Sequence, residues 1–404
     1  MVAYSGPRRD PRVDGVTITA LPVPAGEAAL GLLPRLSDAL EGSAPIMPYA
    51  ASAPAPQVPH HDPGSLPDDL AVVVGTSGST GTPKRALLTA RALRASGLAT
   101  HDRLGGPGQW LLALPAQHIA GLQVLLRSVL AGTTPVVLDP ALGFDARTFS
   151  AAVRRMDPGV RRYVSLVPTQ LVRLCDDPWC AETLGTLDAV LVGGAALPLQ
   201  LRRHAEDCGV RIIPTYGMSE TAGGCVYDGR PLDGSTAEVD PDGRVRLGGR
   251  TLADGYLAQP AMTAAAFREG WFLTDDVGRL DPDGRLHVDG RIDDLINTGG
   301  VKVAPRVVED AIAVHAPGIR EVVVVGAPDP TWGQAVSALL VLDRRADRAP
   351  TVRDLRAALR GILADHALPR RVLITDEVPS RGPGKPDRAA IVAMFERQPS
   401  RMGQ

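Results

Sequence analysis

The chain has 404 residues, 44% of them hydrophobic and 22% charged, which is enough to bury cores in two or three domains. Its 43 glycines and 36 prolines make it turn-rich, but below the range of disordered chains. The 43 basic and 45 acidic residues leave a net charge of -2 and form no long block of one sign, so a phosphate-tracking stripe for nucleic acid is excluded.

Four cysteines (Cys175, Cys180, Cys208, Cys225) are too few for a disulfide framework, so reduced thiols and a cytoplasmic location are expected. The N-terminal MVAYSGPRRDPR carries charge with no apolar stretch behind it, unlike a secretory signal. The longest uncharged run, Leu104 to Leu126, is interrupted by Pro107, Gln109, Pro115, Gln117 and His118, which argues against a membrane span.

Along the chain, EAALGLLPRLSDAL predicts one short amphipathic helix. Residues 44–67 hold seven prolines and read as an extended connector. From Leu70 onward apolar runs alternate with helical patterns: LAVVVG, WLLALP, TPVVLD, YVSLV, LDAVLVGG and VRIIPTYG are each strand-like, with helix-like stretches between them. That alternation predicts largely parallel sheets flanked by helices. Around Arg244–Arg291 the pattern turns to β segments, with Asp-Gly hairpin signals in PDGR at Pro241–Arg244 and again at Pro282–Arg285. A smaller α+β unit follows, with helices at VVEDAIAVHA and TVRDLRAALRGILADH, the second capped by Thr351, and strands at EVVVVGA, SALLVLD and RVLITDEV. The expected division is an N-terminal domain over 1–292, a C-terminal domain over 293–394 and a frayed tail over 395–404.

Chemistry concentrates in four places. TSGSTGTPK (Thr76–Lys84) directly follows the strand LAVVVG; its glycines allow close backbone approach, its hydroxyls can donate to phosphate oxygens, and Lys84 supplies a point charge. Pro83 before Lys84 breaks the GxxxxGK[ST] pattern, so an ordinary P-loop is disfavoured. The others are TYGMSET (Thr215–Thr221), GWFLTDDVGRL with GRIDDLINTGG (Gly270–Gly300), and SRGPGKPDR (Ser380–Arg388).

In this order, over roughly Leu70 to Ala390, the four motifs resemble the adenylate-forming (ANL) superfamily of acyl- and aryl-CoA ligases, peptide-synthetase adenylation domains and luciferases. The resemblance implies an α/β fold: a large N-terminal domain of stacked α/β sheets plus β segments, and a small mobile α+β C-terminal domain. It implies ATP, Mg²⁺ and CoA as cofactors and co-substrates, small-molecule partners rather than nucleic acid or membrane, and a homodimer. Thr76, Ser77, Gly78, Ser79, Thr80, Gly81 and Lys84 match the loop that grips the β- and γ-phosphates, with Arg85 standing where glycine is common. In the second motif, Tyr216 would stack on adenine, Gly217, Met218, Ser219 and Thr221 would line the nucleotide near the α-phosphate, and Glu220 would hold Mg²⁺. Asp276 matches the aspartate that bonds the ribose, although Asp275 replaces the usual glycine, and Arg291 would assist. Asp293 falls at the hinge and Gly299–Gly300 on the loop that meets CoA. Lys385 matches the lysine that bridges carboxylate and α-phosphate during adenylation. His118 resembles the gate between the ATP and acyl sites, which Gly193 and Gly194 would also line.

The wider likeness of HDRLGGPGQWLLALPAQHIAGLQVLLRSVLAG and of GGCVYDGRPLDG is to the o-succinylbenzoate–CoA ligase (MenE) family of menaquinone synthesis in actinobacteria. For such a substrate the second, aromatic carboxylate needs a cationic or hydroxyl partner, for which Ser165, Thr169 and Arg127 are candidates. Another small aryl- or acyl-acid–CoA ligase, or an adenylation enzyme loading a carrier protein, fits the same motifs. A non-catalytic nucleotide-binding regulator is opposed by the presence of Lys385.

Overall fold

The computed structural model describes residues 17–62, 64–76, 84–139, 143–343, 348–379 and 386–397. Its strands form four sheets in a mixed α/β arrangement, three in a large N-terminal part and one in a small C-terminal part. The first sheet runs Thr19–Val23, Ile46–Ala50, Leu70–Gly75, Arg85–Thr89, with parallel pairing up to Leu70–Gly75 and an antiparallel partner in Arg85–Thr89. Leu70–Gly75 is buried along nearly its whole length because both faces are covered, which is why it reads as a continuous apolar run. Helix Leu32–Leu40 presents Leu32, Leu36, Ala39 and Leu40 to this sheet and to helix Ile119–Ala131.

The second sheet has seven strands, in the order Arg230–Pro231, Gly223–Tyr227, Ile212–Met218, Ala189–Val192, Arg162–Leu166, Gln109–Leu112, Val136–Val137. The last five are parallel, as the strand–helix alternation predicts, and the first two return antiparallel. Parallel strands present all their carboxyl ends at one edge, where open α/β sheets bind ligands.

The third sheet is antiparallel, with Ser235–Val239, Arg244–Gly249, Trp271–Leu280, Phe267–Arg268 and Leu286–Arg291. Both PDGR turns are hairpins, with Gly243 at φ +86° and Gly284 at φ +73°, conformations that a side chain would strain.

In the C-terminal part the sheet order is Val301–Val303, Ile296–Thr298, Gly333–Leu342, Ile319–Asp329, and Arg371–Ile374 pairs parallel with Gly333–Leu342. Helix Pro305–His315 packs on it and also faces helix Leu199–Asp207 and strand Leu286–Arg291. Gln200 Nε2 donates to the Ala313 carbonyl at 2.7 Å across that contact.

Three expectations need correction. The proline-rich stretch 44–67 is not a connector throughout, because Ile46–Ala50 is a strand within the first sheet. Its pairing toward Leu70–Gly75 is confined to Ile46↔Val72, ahead of Pro48, whose missing N–H removes a ladder donor. Helix Val352–Leu359 begins at the expected Thr351 cap, whose hydroxyl accepts from the Asp354 amide at 3.2 Å, but stops before Gly361 at φ +82°. The tail assigned to 395–404 is helical as far as Arg397, with Phe395 buried.

All four cysteines are free, and burial pushes the Cys175 and Cys225 thiols up to about 12, which leaves them unreactive. Among the described residues no helix is long and apolar enough to cross a membrane.

Candidate active site

The two ends of the TSGSTGTPK motif meet beside a β-ladder rung. Gly75 pairs with Arg85, and the Thr76 amide donates to the Lys84 carbonyl at 2.8 Å. Thr76 and Lys84 are therefore held together where two strands of the first sheet end. Ser77, Gly78, Ser79, Thr80 and Gly81 lie outside the described residues. The Lys84 ammonium sits 5.6 Å from the centroid of the Tyr256 ring.

The TYGMSET motif occupies the carboxyl end of Ile212–Met218 and the turn Ser219–Thr221. Gly217 faces Gly223 so closely that a Cβ would stand 2.2 Å from the Gly223 carbonyl, so the returning strand demands glycine there. The Thr221 hydroxyl donates to the Gly223 carbonyl at 2.7 Å and accepts from the Met218 amide at 3.0 Å. Thr221 is fully buried, so its hydroxyl shapes the turn.

Glu220 is 6% exposed, and its Oε1 accepts the Tyr256 hydroxyl at 2.9 Å. Burial raises its pKa, opposed by the Tyr256 bond and by the charge of Lys84. Among the described residues no cluster of three or more His, Cys, Asp or Glu could hold a metal unaided. A single buried carboxylate within reach of the Lys84 charge would fit Mg²⁺ that takes its other oxygens from substrate phosphates and water.

Tyr216 donates its hydroxyl to Asp276 Oδ2 at 2.6 Å. Asp276 lies opposite Arg291 across the strand pair, and its Oδ1 is 3.9 Å from Arg291 Nη1. Arg291 Nη2 also approaches Asp275 at 3.4 Å and Asp293 at 3.8 Å, so one guanidinium links Asp276 to Asp293. Burial raises the Asp276 pKa, while Tyr216 and Arg291 pull it back down.

The acyl side follows from the parallel topology. His118 follows strand Gln109–Leu112, Ser165 stands at the end of Arg162–Leu166 with Thr169 in the first turn of helix Pro168–Cys175 after it, and Gly193–Gly194 follow Ala189–Val192. These carboxyl ends share one edge with Tyr216, which the sequence could not show. His118 is exposed at the start of helix Ile119–Ala131. A Cβ on Gly193 would lie 2.3 Å from Thr215 Oγ1, and one on Gly194 would lie 3.6 Å from Val167 Cγ1.

Farther along the same helix, Arg127 is 3% exposed. Its Nη2 donates to the Tyr227 hydroxyl at 3.2 Å and its guanidinium lies 4.9 Å from the Trp110 ring. Among the described residues no ion pair includes Arg127, and its Nε has no hydrogen-bond partner, nor has the Trp110 indole N–H. An arginine buried without a carboxylate is costly unless an anion completes it.

Gly299 and Gly300 form the tip between Ile296–Thr298 and Val301–Val303. The Gly299 amide donates to the Trp332 carbonyl at 2.8 Å, within the C-terminal part. Lys385 lies outside the described residues. Sequence reading missed Tyr256, which stands 36 positions from Glu220 with no spacing signal to link them.

The chain is similar to known proteins along most of its length. The AMP-binding enzyme family matches residues 21–252, and the AMP-binding enzyme C-terminal domain matches residues 308–385. A probable 2-succinylbenzoate–CoA ligase of Mycobacterium tuberculosis is 46% identical over 379 residues, 93% of this chain and 98% of that protein. A 2-succinylbenzoate–CoA ligase of Geobacillus kaustophilus is 32% identical, over 85% of this chain and 74% of its own. Among solved structures, ATP-bound MatB from Rhodopseudomonas palustris superposes with a TM-score of 0.77 at 23% identity, covering 95% of this chain and 90% of its own. Escherichia coli MenE with a bound analogue of OSB-AMS gives 0.71 at 25% identity, covering 96% and 89%.

Proposed function

The chain belongs to the AMP-binding enzyme family, and on that premise we propose that it is a 2-succinylbenzoate–CoA ligase acting in menaquinone synthesis. The observation that carries this reading is the 46% identity to the mycobacterial relative of that name, nearly end to end on both chains. The buried Arg127, which has no acidic partner among the described residues, supports it from the side of the substrate, because 2-succinylbenzoate brings a second carboxylate that stays unreacted. Trp110, with its free indole N–H, lies against the same guanidinium.

In the proposed reaction the succinyl carboxylate attacks the α-phosphorus of ATP, the bond to the bridging oxygen breaks, and pyrophosphate leaves. Lys84 draws the β- and γ-phosphates to the loop neck, and Tyr216 stacks on adenine. Asp276, with one oxygen held by Tyr216, offers the other to the ribose. Glu220 would hold Mg²⁺, which when bound supplies charge neutralisation at the phosphate oxygens. Lys385 would balance charge between the attacking carboxylate and the α-phosphate. The C-terminal domain then turns about Asp293 and brings Gly299–Gly300 to the site. The CoA thiolate, its proton released to solvent, attacks the acyl carbon and AMP departs. A homodimer belongs to the same proposal, from the family likeness.

ATP–pyrophosphate exchange across a panel of acids tests the assignment. The expected result is exchange that depends on 2-succinylbenzoate and is far weaker with benzoate, fatty acids or malonate. Exchange with another acid and none with 2-succinylbenzoate would overturn it.

A further inference from the structure

Tyr256 occupies a position that neither the motifs nor the catalytic scheme uses. It lies between the two halves of the phosphate site: its hydroxyl donates to Glu220 Oε1 at 2.9 Å, and its ring faces the Lys84 ammonium 5.6 Å away. The segment carrying it is clamped on both sides. The Leu87 amide donates to the Gly255 carbonyl, the Asp254 amide to the Leu87 carbonyl and the Leu257 amide to the Arg85 carbonyl, each at 2.9 Å, so Ala253–Leu257 lies along the strand that leaves the phosphate loop. Ala86 and Tyr256 form a bridge within that contact. On the other side the Ala253 amide donates to the carbonyl of Glu220 itself at 2.8 Å. The ring is fixed edge-on against Phe267 at 5.6 Å, and the Tyr256 amide is held by Thr263 Oγ1 at 2.9 Å.

A side chain so restrained loses little further entropy when the site fills, and its hydroxyl spends its one proton on one oxygen of Glu220. The other oxygen of that carboxylate is thereby oriented rather than free to rotate. We propose that Tyr256 is a positioning residue: its hydroxyl aims Glu220 at the Mg²⁺ of MgATP while its ring steadies Lys84, so that phosphate loop and metal carboxylate act as one unit. This rests on the adenylating reading above.

Tyr256→Phe removes the hydroxyl and keeps the ring, whereas Tyr256→Leu removes both. Titration calorimetry of ATP on the full chain, with and without Mg²⁺, separates the roles without requiring turnover. For Tyr256→Phe the metal-free ATP affinity should match wild type, and the melting temperature should fall by no more than the loss of one buried hydrogen bond implies. The gain in affinity on adding Mg²⁺ should shrink at least about tenfold, as loss of a hydrogen bond to a charged group implies. The Mg²⁺ concentration for half-maximal exchange should rise in step, and saturating Mg²⁺ should restore most of kcat. Tyr256→Leu should also weaken metal-free ATP binding. A wild-type Mg²⁺ dependence in Tyr256→Phe, or equal weakening with and without Mg²⁺, would overturn the proposal. Absence of ATP binding to the wild-type chain would instead defeat the adenylating reading.

Discussion

Replacing Arg127 by Met separates what a residue does for the substrate from what it does for the fold. The guanidinium is 3% exposed, its Nε is unpartnered, burial lowers its pKa, and no described carboxylate pairs with it. Tyr227 keeps a partner when Arg127 is gone, since its hydroxyl lies 3.1 Å from Thr100 Oγ1. A methionine fills similar volume beside Trp110, and exchange of a buried charge for an apolar side chain is commonly neutral or stabilising by about 1–4 kcal/mol. The melting temperature of Arg127→Met should therefore hold or rise. Binding moves the other way: truncating one partner of a buried, hydrogen-bonded charge pair costs about 2–5 kcal/mol, a loss of roughly 30-fold to several thousand-fold in kcat/KM for 2-succinylbenzoate. The control acid is 4-oxo-4-phenylbutanoate, which has the reacting carboxylate but lacks the aromatic one; its kcat/KM should change little. Steady-state pyrophosphate release with both acids, beside thermal melts, measures all of this. A variant that melts several degrees lower and loses activity equally on both acids would refute the reasoning, because Arg127 would then be structural.

Lys385→Ala should abolish adenylate formation and leave thioester formation from preformed adenylate largely intact; equal loss in both half-reactions would contradict the role given to that lysine. Gly193→Ala places a Cβ 2.3 Å from Thr215 Oγ1 and should destabilise by about 1–3 kcal/mol in urea unfolding, with Thr215→Ala recovering part of the loss. His101, buried beside Arg127, has its pKa lowered to about 4, chiefly by burial, then by that arginine. The unfolded chain therefore binds a proton there at a pH where the folded chain does not. Its contribution to stability is complete above about pH 6.5 and is lost as pH falls toward 4, at no more than about 1.4 kcal/mol per pH unit. Melts from pH 7 to 5 should be steeper for wild type than for His101→Gln.

Much of this architecture was written locally. Alternating apolar runs give the parallel strands, the two Asp-Gly turns give hairpins, and Thr351 caps its helix as expected. TYGMSET and the segments of His118, Ser165 and Gly193–Gly194 meet because a parallel sheet brings its carboxyl ends together. What the sequence concealed depends on contacts made at long range. Ile46–Ala50 carries a proline and still joins a sheet, because most of its pairing is to Thr19–Val23. Thr221 reads as a phosphate hydroxyl, yet that hydroxyl is consumed by its own turn. Tyr256 follows an ordinary Asp-Gly pair, and only the folding of Ala253–Leu257 onto Arg85–Thr89 delivers its hydroxyl to Glu220. Arg127 is one of three sequence candidates for the second carboxylate, and only the structure sets it apart, buried and in no ion pair among the described residues.

The central claim is tested most directly by incubating the purified chain with ATP, Mg²⁺, CoA and 2-succinylbenzoate and identifying the products by mass. The account predicts 2-succinylbenzoyl-CoA with AMP and pyrophosphate in equal amounts, and no thioester when ATP is omitted. Formation of ADP, or of an adenylate that CoA never discharges, would contradict it.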